Sequence, residues 1–482
     1  MSSYQPYRII IHKKLKLVLS FMYTSFFNLK IHPFYVIIYE TERRFPAHLF
    51  ILSPSGNFHP FIHNRGRINL PLSSLFLYFI HSFGRRLDDD YHKKIIIILR
   101  AAVRGKEFPV LQEFIVNTSE MNRGLSLVTH ALAARPVKSI YNGVQIDAKD
   151  NTLVMTATDG EMTIRAIIDA DVRTPGLSVF PAKLLSELIR RQNVGAITFT
   201  VEDSNVARIT SLGSKTNMMG MNAEDFPEIR EISNAQEIHL PAGKLRNAIS
   251  RVMFAVSTDE SRKTLTGILM EFYGNETRLV SIDGFRMALM NIEAENELPV
   301  GKDFSSVIIS GRILNELSKI LPDDDTDVTL SFNASHVVIS FGAVKLFTTL
   351  LIGEFIDYKH ILPSSAQTEI ELEKAPLYDA LERCSLMARE GKSNLITIEI
   401  GETGLLMNSR AERGDVHEEM PVVFHGLPLK ISFNSQYLMD VIRNVETDEI
   451  RMCFQTNVSP CIVRPKEGNQ FTFLVLPIRT FN

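Results

Sequence analysis

A short pattern of apolar and basic residues occurs three times at nearly even intervals, and this repetition limits the possible folds more than any single motif does. The copies are Phe180-Pro-Ala-Lys-Leu-Leu-Ser-Glu-Leu-Ile-Arg190, Ile309-Ser-Gly-Arg-Ile-Leu-Asn-Glu-Leu-Ser-Lys319 and Phe433-Asn-Ser-Gln-Tyr-Leu-Met-Asp-Val-Ile-Arg443. Successive copies lie 129 and 124 residues apart. Each opens on a strand-like residue followed by Pro, Ser or Asn. Each then sets apolar residues at helical spacing and closes near a basic one. A second helix series pairs Lys244–Arg251 with Pro376–Arg383, and 120–128 is a looser copy. Strand-like runs lie between them at 151–157, 196–201, 278–282, 327–332, 337–341, 395–400 and 470–476. Several alternate apolar and polar residues, as half-buried antiparallel strands do. Thr158-Asp-Gly-Glu-Met162 and Ile282-Asp-Gly-Phe-Arg286 repeat an Asp-Gly turn after a strand. Three α+β units of about 120 residues, each layering two helices on antiparallel strands, follow from this pattern.

The rest of the chain is unlike these units. Residues 1–111 hold 16 Lys and Arg against 6 Asp and Glu, whereas the remainder holds 36 against 49, so the overall charge of −3 averages two different parts. The same 111 residues carry 19 of the 42 Phe and Tyr. Basic residues at 13–16 followed by the apolar run 17–29 imitate a secretion signal, but no small-residue cleavage site follows. Neither helical period nor strand alternation is sustained there. Residues 1–111 read as a basic, aromatic-rich extension outside the functional fold, and a membrane or nucleic-acid arm is the other reading its charge allows. The units are then 112–233, 234–363 and 364–482. No run reaches the roughly 18–20 apolar residues of a membrane helix. Cys384, Cys453 and Cys461 have neither disulfide nor zinc spacing, which fits a reducing cytoplasm.

A search for chemistry finds no dinucleotide fingerprint, P-loop or nucleophile elbow. His130, His239, His336, His360, His417 and His425 are scattered without metal-ligand spacing. Asp323-Asp324-Asp325 with Asp327 reads as a solvated turn after Leu321-Pro322. The same aspartates could instead hold a divalent cation, and a metal-dependent nuclease using them is a further reading. The expectation is a non-enzyme with no cofactor and no metal. Its helices nevertheless carry cations: Lys183 and Arg190 stand two turns apart on one face, with Arg246, Arg251 and Arg312 on later helices. Such basic faces could meet phosphates, contacts that carry no sequence information.

The chain closes on Leu474-Val475-Leu476-Pro477-Ile478-Arg479-Thr480-Phe481-Asn482, an apolar strand where ends are normally polar. Together with Ser281-Ile-Asp-Gly-Phe-Arg-Met287 and Gly353-Glu-Phe-Ile-Asp-Tyr358, it resembles the bacterial DNA polymerase III β subunit, the sliding clamp, from about Leu111 onward. The resemblance implies three like domains with helices lining a pore and antiparallel sheets outside, closed into a ring by a head-to-tail homodimer. It also implies a processivity factor that encircles duplex DNA without sequence preference. Implied partners are the polymerase III catalytic subunit, a clamp loader, and other replication and repair proteins bearing the clamp motif. A peptide-binding scaffold of the same fold that does not encircle DNA is the alternative.

Carried over by position, the peptide pocket falls on Leu265, Ile282, Gly284, Phe285, Arg286 and Met287, on Ile356 and Ile361, and on Leu474, Leu476, Pro477, Ile478 and Arg479. Arg286 and Arg479 would orient a peptide of the Gln-Leu-x-Leu-Phe type from the rim. Arg135, Arg262 and Lys263 join the helix cations as implied DNA contacts, and Met218 faces Leu386 and Met387 of another copy. Phe285 stands where the family often has His, and Ile356 where it has Pro. A reshaped pocket is expected there, with Phe481 as a candidate cover.

Overall fold

The computed structural model describes residues 35–39, 48–52, 58–60 and 110–479, apart from 203–204, 230, 299–302, 364 and 392–393. The chain divides into two compact units, 1–105 and 106–482. In the first, Tyr35–Tyr39, His48–Leu52 and Phe58–Pro60 form a three-stranded antiparallel sheet. Strand alternation is not visible there because runs such as Tyr-Val-Ile-Ile-Tyr are apolar at successive positions, so extended backbone leaves no period of two.

In the second unit the repeats become six helices: α1 (Thr118–Val128), α2 (Ala182–Arg190), α3 (Ala242–Val252), α4 (Gly311–Ile320), α5 (Lys374–Glu390) and α6 (Ser435–Arg443). Their packed faces follow the apolar spacing. On α2, Ala182, Leu185 and Ile189 are buried, while Lys183 and Arg190 are exposed. The starts differ chemically. Pro181 and Pro241 stand at the N-caps of α2 and α3, each ending a strand, whereas the Asn434 side chain accepts from the Gln436 and Tyr437 amides to cap α6.

Four antiparallel sheets of this unit carry the helices. An eight-stranded sheet runs from Gln236–Pro241 across to Gly176–Pro181; its middle joins Val344–Thr349 to Met162–Asp169. A nine-stranded sheet joins Arg286–Glu293 to Phe471–Val475 in the same manner. Each sheet therefore crosses from one repeat to the next, and backbone hydrogen bonds weld the repeats edge to edge. Met162 opposite Thr348 in one junction corresponds to Arg286 opposite Val475 in the other. The third copy of each partner strand ends a sheet: Gly414–Met420 on a four-stranded sheet and Ser214–Met219 on a five-stranded one.

The turns beside both junctions are built alike. Asp159 accepts from the Glu161 and Met162 amides, and Asp283 accepts from the Phe285 and Arg286 amides. Gly160 and Gly284 both take φ +96°, a left-handed region that glycine enters without a Cβ clash. The turns thus place residues 161–162 and 285–286 against the helices of the following repeat.

Candidate peptide cleft and cationic surfaces

The terminal segment is tied to two repeats at once. After Phe471–Val475 pairs with Arg286–Glu293, the Leu476 amide donates to the Phe285 carbonyl (2.9 Å). Beyond Pro477, the Ile478 amide donates to the Ser432 carbonyl (2.8 Å). This route holds Leu476, Pro477 and Ile478 half-buried along the junction. Beneath them lies an apolar cluster containing buried Ile282, Met287, Leu474 and Tyr358, against which Leu476 and Ile361 pack. Leu265 is also buried. The residues assigned to the pocket therefore separate into a buried floor and an accessible wall of Gly284, Phe285, Ile356, Ile361, Leu476, Pro477, Ile478 and Arg479.

Phe285 is 54% exposed and stacks on Tyr437 of α6, with ring centroids 5.5 Å apart. Farther along, a cleft of about 180 Å³ is lined by Ser432, Val458, Ile478 and Arg479, among others. Sequence reasoning missed Tyr437 and Val458. Tyr437 looks like one more apolar helix position, and Val458 sits outside the periodic strands. Phe481 lies outside the described residues.

Arg286 corrects the sequence reading. Its side chain is only 13% exposed and is committed to two carboxylates, Asp283 on its own turn and Asp440 on α6. Its guanidinium also lies over the Tyr437 ring at 4.5 Å and the Phe254 ring at 5.7 Å. It joins two repeats and does not stand free at a rim. Arg479 is the exposed arginine.

The implied DNA contacts also divide. Lys183, Arg190, Arg135 and Lys263 are exposed, and none forms an ion pair among the described residues. Arg262 pairs with Asp259 at 3.3 Å and Arg246 with Asp323 at 3.5 Å, both at the surface. Arg251 reaches Glu446 of the next repeat at 3.0 Å. Arg312 is corrected most: it grips Asp159 at 2.8 Å and Glu161 at 2.7 Å, across the junction of the first two repeats. Its charge is thus largely neutralised. Arg190, Lys319 and Arg443 form the repeated cationic position, one in the last turn of each second helix.

On the end strand Ser214–Met219, alternation buries the residue expected to make the contact and exposes its neighbour. Met218 is 5% exposed within its own core, whereas Met219 is 66% exposed. On the other free end, Leu386 and Met387 line a groove of about 450 Å³ with Arg383, Glu390, Arg413, Val416 and Glu418. In the aspartate run, Asp324 accepts from the Thr326 amide at 2.9 Å and Asp327 pairs with His239 at 2.9 Å. These contacts are those of a turn and a surface pair. Burial pushes the Cys384 and Cys453 thiols up to about 11, and raises Cys461 well above its ordinary value.

Three like repeats, welded through shared sheets with two helices apiece, define the DNA-clamp class of fold. The family models agree in order: the N-terminal domain of the DNA polymerase III beta subunit matches residues 112–230, the central domain 239–357 and the C-terminal domain 359–479. The beta sliding clamp of Staphylococcus epidermidis is 31% identical over 385 residues, covering 78% of this chain and all of the relative. That of Staphylococcus aureus is 29% identical over 381 residues, covering 77% and 100%. The crystal structure of the Bacillus subtilis DNA polymerase sliding clamp superposes with a TM-score of 0.73 at 27% identity, over 77% of this chain and 100% of that one. The chain belongs to the DNA polymerase III beta subunit family, the beta sliding clamps.

Proposed function

We propose that this chain encircles duplex DNA as a head-to-tail homodimer and tethers the polymerase III catalytic subunit through the cleft at its second junction. The observation that carries the tethering is the terminal segment itself. It is held at both ends by backbone hydrogen bonds and presents Leu476, Pro477 and Ile478 above an apolar floor. A Leu and a Phe from a Gln-Leu-x-Leu-Phe-type peptide would bury there, and a few such anchors supply most of an interface's energy. The clamp loader and other partners bearing the same motif would use the same cleft. The chain acts in the cytoplasm and catalyses no reaction of its own.

The repeats themselves support closure by a second copy. Two junctions are made within the chain, and the strands of the third, Gly414–Met420 and Ser214–Met219, are edge strands among the described residues. Extending the internal register sets Gly414 of one copy opposite Met218 of the other. Apolar positions agree: Ile313 of α4 is buried beside an internal junction, whereas its counterpart Leu184 on α2 is exposed. Phe254, packed edge-on against Phe473 at 5.4 Å, corresponds to exposed Leu386. Joining two copies head to tail closes a ring when the rotation suits, and gives six domains. Lys183, Arg190, Arg135 and Lys263 would then supply contacts to phosphate, which carry no sequence preference.

The direct test is binding of a fluorescent Gln-Leu-Ser-Leu-Phe peptide to the full chain and to a copy lacking residues 476–482. Saturable binding that disappears with the segment supports the cleft. Binding that survives the deletion places the peptide elsewhere.

A further inference from the structure

Glu271 is a carboxylate without a part in the reading above, yet it is 5% exposed in the strand Gly267–Tyr273. Such a group must be paired, because burying a lone charge is costly. Two of its partners come from one linker, and the third from its own strand. The Tyr358 hydroxyl donates to Oε2 at 2.5 Å, and Lys359 Nζ reaches Oε1 at 3.2 Å. The Tyr273 hydroxyl adds a bond at 3.1 Å and accepts from Lys359 Nζ at 3.0 Å. Lys359 also lies 5.4–5.7 Å from the Tyr273, Phe304 and Tyr358 rings. Tyr358 and Lys359 belong to the linker between the second and third repeats, whose other residues Ile356 and Ile361 form part of the cleft wall.

The other repeats show what the linker changes. The positions equivalent to Glu271 are Asp147 and Glu399, also acidic. They are partly exposed, at 33% and 40% of the side chain, and pair with Lys149 at 2.9 Å and Lys430 at 2.8 Å. Among the described residues, it is in the middle repeat that a linker crosses the carboxylate and buries it. Tyr358 simultaneously enters the apolar cluster that floors the cleft. Burial, reinforced by the hydrogen bond to Glu271, raises the phenol well above its ordinary value, so it remains a donor at any working pH.

We propose that Glu271 is a positioning residue for the peptide cleft: it fastens Tyr358 and Lys359, and so fixes the linker that carries Ile356 and Ile361. The proposal rests on the cleft reading above. Without the carboxylate, the linker loses two converging polar contacts, those of Tyr358 and Lys359, and spends part of its time away from the wall. A binding-competent state populated only fractionally weakens apparent affinity by that fraction.

The test measures hydrogen exchange of amides 353–362 and the Kd of fluorescent Gln-Leu-Ser-Leu-Phe on the full chain. Glu271→Gln should speed exchange across 353–362 while sparing the strand 471–475, and raise Kd about five- to tenfold. Tyr358→Phe, which removes one donor and keeps the ring, should shift both in the same direction by less. If Glu271→Gln does not fold, Tyr358→Phe and Lys359→Met carry the test. Unchanged exchange in the variants overturns the anchor, and faster exchange with unchanged Kd overturns its link to the cleft. Failure of the wild-type chain to bind the peptide, with exchange still faster in Glu271→Gln, overturns the cleft reading and leaves the anchor standing.

Discussion

Replacing Arg286 with Ala separates two roles for the same side chain. As a rim residue it would matter to a bound peptide and little to the fold. The structure instead packs it against Asp283, Asp440, Tyr437 and Phe254 at the junction of the second and third repeats. A charge-assisted hydrogen bond contributes about 1.5–3 kcal/mol, and a partly desolvated cation–π contact about 1–2 kcal/mol. These do not add. Breaking a fully buried pair costs about 3–5 kcal/mol, mostly through the charge left behind. Here the carboxylates are 13% and 19% exposed, so water reaches them, and the lower end, about 3 kcal/mol, is expected. Urea unfolding of wild type, Arg286→Ala, Asp440→Asn and the double variant measures it. The pair should show a coupling of about 1.5 kcal/mol or more. Wild-type stability in Arg286→Ala, accompanied by lost peptide binding, would refute the junction role and restore the rim.

Four further outcomes follow from the same geometry. Lys183→Glu with Arg190→Glu should weaken retention on nicked circular DNA and flatten its salt dependence without lowering the melting temperature, since neither cation has an ion-pair partner among the described residues; unchanged retention would remove α2 from the DNA surface. Met218→Ala should cost about 2–3 kcal/mol as a core truncation, whereas Met219→Glu should leave the protomer stable and weaken dimerisation, read by sedimentation. Burial would raise the Glu316 carboxyl, but hydrogen bonds from His130 and Lys319 outweigh it and hold the carboxyl below its ordinary value of 4.5. Glu316 therefore stabilises the first junction above that pH and loses the contribution as pH falls through its folded value, so the melting difference between wild type and Glu316→Gln should shrink from pH 6 to below 4. With Cys384 and Cys453 titrating only near 11 and Cys461 well above its ordinary value, all three thiols should resist alkylation at pH 7.5 in the native chain and react after unfolding.

The sequence by itself determined the repeat, and with it the fold. Helical spacing in 180–190, 309–319 and 433–443 led directly to α2, α4 and α6, because a helix that must bury one face writes that need at every third or fourth residue. The Asp-Gly turns were equally plain, since only certain residues tolerate their backbone. The cleft was legible through its terminal segment and its resemblance, but the division of its residues into floor and wall was not. Spacing can show that Ile282 and Phe285 are apolar, but not that one is buried and the other stacked on Tyr437. Tertiary structure alone decided the partners of the charges. Arg286 with Asp440 and Arg312 with Asp159 lie 154 and 153 residues apart, and no local pattern encodes a meeting at that distance. Lys183 and Arg312 occupy equivalent helix positions, yet one forms no ion pair among the described residues and the other fastens two repeats. The difference lies in whether a neighbouring turn presents carboxylates to it.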